Sequence, residues 1–421
     1  MTDLFNRIPL PAFNLIDDYE CGDGTYMLIY GNCDIDSYNK YCELIESRGF
    51  IKTDSSEIDG NVHNTFTGEL FIHTYFTPAD GKTRIIVSED IPVYKTKPEF
   101  TGNTNSVLWQ FEIDHSLIDC GMCYAVRCDD GSFFVIDSAH FYSVRDDIRI
   151  IEFLRKISGE NKPRVSGWYF SHAHEDHIGK FLSLLKYYDD LVSIDTLYYN
   201  FPSENRADIP WEIQVKNLTE EFRKEVSNKK NINKVKLHTG MRFAVKNLLF
   251  TVLCTHEDVF PCSTSDFNNT STVIKMECGE TAVLFPGDAS VESDKIMTER
   301  YRDALKCDVI QVSHHGHTGC SPEFYKRAGA KCALFPVTVI KFEEEWPRQE
   351  SNRTVADIAD EYYIASNGTA EIPLPYKTGN TKVWPDETFE DFNGIYQLWS
   401  YEYTEEYKNK LYEEYLKRSK L

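Results

Sequence analysis

The chain has 421 residues, with 45 basic and 67 acidic side chains, for a formal net charge of −22. That length suits two or three domains with a core that needs no disulfide staples, and 41% hydrophobic with 27% charged residues is an ordinary globular balance. The acidic balance disfavours a nucleic-acid-gripping face, which needs clustered Lys and Arg, so a long anionic partner would have to be drawn by something local, such as a metal.

The opening MTDLFNRIPLPAF lacks a basic region followed by an apolar run, so no secretory signal is expected. No run reaches the roughly 18 apolar residues of a membrane span. The expectation is a cytoplasmic protein without membrane contact, its 12 scattered cysteines buried as thiols; Cys120-Gly-Met-Cys123 reads as alternating strand-like positions. Residues 1–100 read as a small α/β N-terminal domain. It has a strand at 26–30, a helix at 36–47 capped by Asp36 or Ser37, and strand-like runs at 65–76 and 83–87. A Thr/Gly/Asn/Ser cluster at 101–106 resembles a linker.

From Val107 short apolar strands alternate with helices: strands at 124–126, 133–136 and 167–170, with helices at 146–157 and 179–188. The segments 241–255 and 272–285 each read as two strands around a short turn. A helix at 291–305 leads to a strand at 308–312, and another helix is expected at 354–362. Hairpins mixed with strand–helix units imply helices packed on sheets within 101–384. The stretch 385–421 reads as a C-terminal helical tail.

Histidine placement is the most informative feature. Of 12 histidines, His172, His174 and His177 fall within six residues, and His314, His315 and His317 within four. The first window, Ser171-His-Ala-His-Glu-Asp-His177, follows a strand-like Trp168-Tyr-Phe170 and precedes a helix. Strand-end loops let side chains converge on one point. Imidazole and carboxylate suit zinc, iron or manganese. By alternation His172 and His174 face one ion, while Asp176 and His177, beyond the turn, face a second.

His-x-His-x-Asp-His at a strand end resembles the signature of the metallo-β-lactamase fold superfamily. Three further segments agree in order: Phe133–Ser138 with Asp137, Phe285-Pro-Gly-Asp288, and Val309–Gly316 with its His-His-Gly. The resemblance implies a four-layer αββα sandwich over about 107–376, with Asp288 bridging two divalent ions. Many relatives carry a third histidine in a Gly-His-x-x-Gly-Ser context that this chain lacks. Its Ser265-Asp-Phe-Asn-Asn-Thr-Ser271 is similar to ComEC-type hydrolase domains and to phosphorylcholine esterases. By that match Asp266 replaces the third histidine, and Asn268 and Asn269 shape the loop or orient substrate. His256 is the rival third ligand.

The implied function is a binuclear metal-dependent hydrolase in which a metal-bound hydroxide cleaves a phosphodiester or a phosphorylated small molecule. The ions would be zinc, with manganese or iron as alternatives. Either His314 or His315 is the late ligand; His314 is taken as ligand and His315 as the group that contacts substrate or protonates the leaving group, with Asp176 also catalytic. Asp137 is placed behind the ligands, and His317 at the rim. Alternatives are an acyl, thioester or lactam hydrolase and a non-catalytic metal-binding scaffold or sensor. The expected partner is a small anionic substrate, not a nucleic acid.

Overall fold

The computed structural model describes residues 3–385 apart from 116–117, 144, 207–208, 210 and 261–265. The expected C-terminal helix beyond 385 and the thiol of Cys262 therefore lie outside the described residues. The N-terminal part contains β1 (Asn14–Gly22), β2 (Thr25–Gly31), α1 (Ile35–Ser47), β3 (Ile51–Ile58), β4 (Asn61–Thr67), β5 (Phe71–Thr77) and β6 (Lys82–Ser88). Its strands form one antiparallel sheet in the order β1-β2-β6-β5-β4-β3. The cap of α1 is Asp34, whose carboxylate accepts from the Ser37 amide at 2.7 Å, two residues earlier than the sequence places it. The 65–76 run is a hairpin and not one strand: Gly68 N–H bonds the Leu70 carbonyl and turns the chain between β4 and β5.

The N-terminal sheet is apolar on both faces. Leu28, Ile72, Ile85 and Val87 pack against Tyr38, Tyr41 and Ile45 of α1. Met27, Ile29, Tyr75 and Ile86, on alternate positions of the same strands, join the core of the rest of the chain. A sheet with one face on a helix and the other on a second body is buried from both sides.

The rest of the chain begins with β7 (Val107–Gln110), β8 (Tyr124–Arg127), β9 (Phe133–Ile136), α2 (Asp146–Ser158), β10 (Arg164–Tyr169) and α3 (Glu175–Tyr187). Then come β11 (Ser193–Ile194), β12 (Thr196–Tyr199), α4 (Ile213–Asn228) and β13 (Asn233–Lys236). The second half holds β14 (Arg242–Val245), β15 (Leu248–Cys254), α5 (His256–Val259), β16 (Val273–Cys278), β17 (Thr281–Phe285), α6 (Val291–Arg300) and β18 (Val309–Gln311). It closes with α7 (Pro322–Ala328), β19 (Cys332–Phe335), α8 (Val339–Glu345), α9 (Glu350–Ile358), β20 (Glu361–Ile364), β21 (Ala370–Pro373) and β22 (Lys382–Val383). One sheet runs β13-β12-β10-β9-β8-β7-β21-β22 with β11 beside β10, and the other runs β14 to β20 in sequence order.

Strand alternation explains the layers. Phe133 and Val135 face α2 and α3, packing with Ile151, Leu154 and Phe181. Phe134 and Ile136 point the other way, against Phe243, Phe250 and Val283 of the second sheet. Beyond that sheet, Leu284, Ile310 and Phe335 meet Met297, Phe324 and Phe342 of α6, α7 and α8. Helices, sheet, sheet, helices: this is the four-layer αββα sandwich. Each fully buried Phe or Leu contributes roughly 2–3 kcal/mol of transfer free energy, so three such interfaces hold the fold without cross-links, and every described cysteine is a free thiol.

Several helix boundaries differ from the sequence reading, among them the start of α3 at Glu175 and not Gly179. The helix expected through Leu305 ends at Arg300, and residues expected to end a helix at Tyr362 instead form β20. Tyr362 and Tyr363 pair with Ala333 and Leu334 on β19, so sheet extension overrides local helix preference. No described helix is long and apolar enough to cross a membrane.

Candidate metal centre

The site lies where strands of both sheets end. β10 stops at Tyr169, and α3 begins at Glu175 with His174 in the capping position. His172 and His174 therefore project from extended chain, while Asp176 and His177 occupy the first turn of α3. Asp288 follows β17 through Pro286 and Gly287. Gly287 has φ +59°, and a Cβ there would stand 2.8 Å from the Ser171 side chain, so glycine permits both the turn and the close approach. Gln311 locks this turn by accepting from Gly287 N–H at 2.8 Å and donating to its carbonyl at 2.9 Å.

Two groups of donor atoms result, each with all its atoms within 4.8 Å of one another: Asp176, His177, Asp288 and His315, and His172, His174 and Asp288. Asp288 belongs to both. The Nε2 atoms of His172, His174, His177 and His315 and Oδ1 of Asp288 are buried without a hydrogen-bond partner. Buried polar atoms left unpaired are costly, and four imidazole nitrogens converging on one carboxylate are a donor set that fits divalent cations.

The other ring nitrogens are held from behind. His177 Nδ1 donates to Asp137 Oδ2 at 2.8 Å, and Ser171 donates to the same oxygen at 2.8 Å while its amide bonds Oδ1 at 2.9 Å. His172 Nδ1 lies 3.1 Å from Ser171 Oγ, and His315 Nδ1 lies 2.7 Å from the Pro336 carbonyl. With a proton on each of these Nδ1 atoms, the Nε2 lone pairs point inward, the arrangement that orients metal-binding imidazoles.

Electrostatics report the same demand for positive charge. Burial alone pushes the His177 pKa down, but Asp288, Asp176 and Asp137 outweigh it and hold it well above its ordinary value. Burial likewise opposes, and Asp288 and Asp176 then lift, His315 to about 10. His172, with burial and two neighbouring imidazoles against its charged form, falls well below the ordinary range. Asp288 resists burial through His177 and His315 and sits well below the usual carboxylate range.

The late histidines take positions opposite to those the sequence reading favoured. Both His314 and His315 adopt left-handed backbone, at φ +51° and +55°, in a tight turn after β18. His315 is carried inward, with Nε2 2.9 Å from Asp176 Oδ2 and 3.4 Å from Asp288 Oδ2. His314 is half-buried outside both groups, with Nδ1 3.3 Å from the Thr318 carbonyl and Nε2 3.3 Å from Asn268 Nδ2. Strand alternation does not apply because neither residue is in a strand. His317 lies at the rim, 3.5 Å from Glu345.

Asp266 joins neither group, a departure from its expected place as a ligand. It caps the Phe267–Thr270 turn, accepting from the Asn268 amide at 3.0 Å. The rival His256 is fully buried elsewhere, with Nε2 2.9 Å from Asn200 Oδ1. Asn269 is structural, its Oδ1 accepting from the Glu292 and Ser293 amides at the start of α6. Asp137 has φ +53° and joins neither group, supporting His177 directly and His172 through Ser171. Ser171 and Gln311 are site residues the sequence reading did not single out, and Cys120, read there as a strand-like position, instead lies before β8 with Sγ 3.6 Å from Asp176 Oδ2. A Gln inside the apolar run Val309-Ile-Gln-Val312 was the available signal, since a buried amide needs partners.

Residues 120–318, the span that delivers both groups except for their supports beyond it, match the metallo-beta-lactamase superfamily. The chain is similar to that superfamily over just under half of its length. Among solved structures it resembles the metallo-beta-lactamase fold protein YhfI from Bacillus subtilis, at 14% identity over 64% of this chain and 100% of that one, TM-score 0.39. It also resembles CmlA, a diiron beta-hydroxylase from Streptomyces venezuelae (13% identity, 66% of this chain, 55% of that one, TM-score 0.42). Human tRNase Z, short form, matches at 9% identity over 54% of this chain and 91% of that one, TM-score 0.33. A 68-residue stretch is 34% identical to the Escherichia coli protein YcaI, covering 16% of this chain and 9% of that protein. The N-terminal sheet lies outside the superfamily match.

Proposed function

We propose that the chain is a binuclear metal-dependent hydrolase that cleaves a phosphodiester or a phosphorylated small molecule. The observation that carries the reading is Asp288 shared between two groups of buried, unpartnered histidine nitrogens. His172, His174 and Asp288 would hold one ion, and Asp176, His177, Asp288 and His315 the other. Two adjacent divalent ions supply Lewis-acid polarisation, water activation near neutral pH and a clamp for both the attacking and leaving oxygens of an in-line displacement. Zinc is the first choice for this imidazole-rich set, and the two carboxylates and four imidazoles also suit manganese or iron.

The chain's own residues do the rest. Asp137, Ser171 and the Pro336 carbonyl fix the orientation of three imidazoles before substrate arrives, so no reorganisation is needed during reaction. His314 stands beside these groups, with Nδ1 turned to the Thr318 carbonyl and Nε2 accepting from the Asn268 side-chain amide at 3.3 Å, so substrate would reach Nε2 by displacing that amide. There it would contact the leaving group, and Asn268 positions the ring. Phe267 lies 5.4 Å from the His174 ring and Trp211 5.1 Å from Phe267, an apolar wall that excludes water from one side. The net charge of −22 repels long polyanions, which favours a small substrate.

The test is turnover by the metal-loaded protein of bis(p-nitrophenyl) phosphate, p-nitrophenyl phosphate, a thioester and a chromogenic β-lactam. Hydrolysis of a phosphorus ester above the acyl probes supports the proposal. Turnover of the thioester or lactam alone replaces it with an acyl hydrolase, and no turnover of any probe leaves a non-catalytic metal scaffold.

A further inference from the structure

The described parts of the segment between β15 and β16, residues 255–260 and 266–271, pack directly against each other, and the second part brings Phe267 to His174 and Asn268 to His314. The first part is held by the N-terminal sheet. Arg84 on β6 is 1% exposed and donates through Nη2 to the carbonyls of Asp258 and Phe260, both at 3.1 Å. Tyr75 on β5 donates to Asp258 Oδ1 at 2.9 Å. Tyr19 on β1 stacks on the Phe260 ring at 5.3 Å, and the Arg206 guanidinium lies 3.7 Å from that ring.

Asp258 is the hub of these contacts. Its other oxygen bonds the Thr255 amide at 3.0 Å and closes the capping box of α5. Arg300, at the end of α6, also donates to it, and Asn61 on β4 donates to the Arg300 carbonyl at 3.1 Å. The start of α6 is capped by Asn269. The segment is thus pinned at two places: at α5 by side chains of β5 and β6, and at Asn269 by α6. A four-residue helix has almost no stability of its own, so its position depends on these outside donors. Carbonyls at the C-terminal end of α5 also carry partial negative charge that a buried guanidinium neutralises.

We propose that the N-terminal sheet is a clamp that holds residues 255–260 and, through their packing, sets the Phe267–Thr270 turn against the metal centre, with Arg84 as its positioning residue. The clamp gives that sheet a role in the site although it contributes no donor to either group. It rests on packing alone and not on which bond the protein cleaves. Arg84 touches neither group, so its removal changes loop placement and leaves the ligands intact.

The test compares Arg84→Met, Arg84→Lys and Tyr75→Phe with Ser56→Ala in the full chain. Ser56 is a control at the same interface because it bonds the Gly240 carbonyl at 2.8 Å and not the 255–271 segment. Amide exchange read by mass spectrometry should quicken by about tenfold or more in 255–260 and 266–271 for Arg84→Met. Tyr75→Phe should act in the same direction and less strongly, so it decides if Arg84→Met fails to fold. Arg84→Lys keeps the charge and one donor direction and should restore part of the protection. Bound metal per chain should stay unchanged, while kcat/KM for bis(p-nitrophenyl) phosphate falls by about tenfold. Ser56→Ala should leave exchange in 255–271 as it is. Exchange that quickens evenly over the whole chain, or no change in 255–271 for Arg84→Met and Tyr75→Phe, overturns the clamp, and either result is read without any turnover.

Discussion

His177 Nδ1 and Asp137 Oδ2 lie 2.8 Å apart, both completely buried, and that bond aims His177 Nε2 at Asp288 Oδ2, 3.2 Å away. A carboxylate behind an imidazole sets its tautomer and raises its basicity toward a metal. Asp137→Asn keeps the volume and removes the charge. Metal affinity should fall by about 10–100-fold, measured by competition with a chelator of known affinity. Unchanged affinity would show that Asp137 serves only the turn after β9.

Asp288 offers an oxygen to both groups, so Asp288→Ala should lose both ions and not one. Metal per chain, measured after dialysis, is the readout. Retention of two ions would sink the shared-ligand assignment, on which the binuclear reading depends.

The turn after β18 separates two adjacent histidines into different jobs. His315→Ala should remove the ion of the Asp176 group, since Nε2 of His315 sits among its oxygens. His314→Ala should keep both ions and lower kcat by about 10²–10⁴-fold, the range for a lost general acid. The reverse pattern, with metal lost in the His314 variant, would restore His314 as the ligand, as the sequence reading had it.

His63 and His73, buried at the interface of the N-terminal sheet, make stability fall in acid. Burial pushes His63 down to about 4, with Asp258 opposing and Arg300 reinforcing, and burial together with His238 takes His73 to about 3. Both sit between the N-terminal sheet and the 238–258 region. Below its ordinary pKa of 6.5 the unfolded chain's imidazole binds a proton that the folded one refuses. Stability is therefore complete above pH 6.5 and is lost as pH falls toward 4, by up to about 3 kcal/mol for His63. Denaturant titrations at pH 7.5, 6 and 5 should show the midpoint dropping stepwise, and His63→Phe or His63→Leu should flatten that slope.

The interface also has a steric test. Gly240 has φ +85°, and a Cβ there would lie 1.8 Å from the His63 ring. Gly240→Ala should cost about 3 kcal/mol or more through backbone strain and overlap, read as a lower melting temperature. His63→Ala in the same chain should recover part of the loss by freeing the space.

What the linear chain determines here is whatever depends on local periodicity and local chemistry. Alternation in Phe133–Ile136 marks a strand buried on two faces, and the density of histidines at 172–177 marks a metal-competent loop before any topology is known. The superfamily signature follows from those residues and from Gly287-Asp288. Tertiary structure decides everything that depends on direction. His314 and His315 are equivalent as neighbours in a list, and only a left-handed turn sends one inward and the other to the rim. Asp266 and His256 are each plausible donors by type, yet one is spent capping a turn and the other is buried against Asn200. Tyr362 favours the helix pattern before it, and pairing with Ala333 makes it a strand. The net charge of −22 says that the surface repels polyanions, while only folding gathers Asp176 and Asp288 with four imidazoles, because hydrophobic layers between the two sheets bring strand ends distant in sequence to one point.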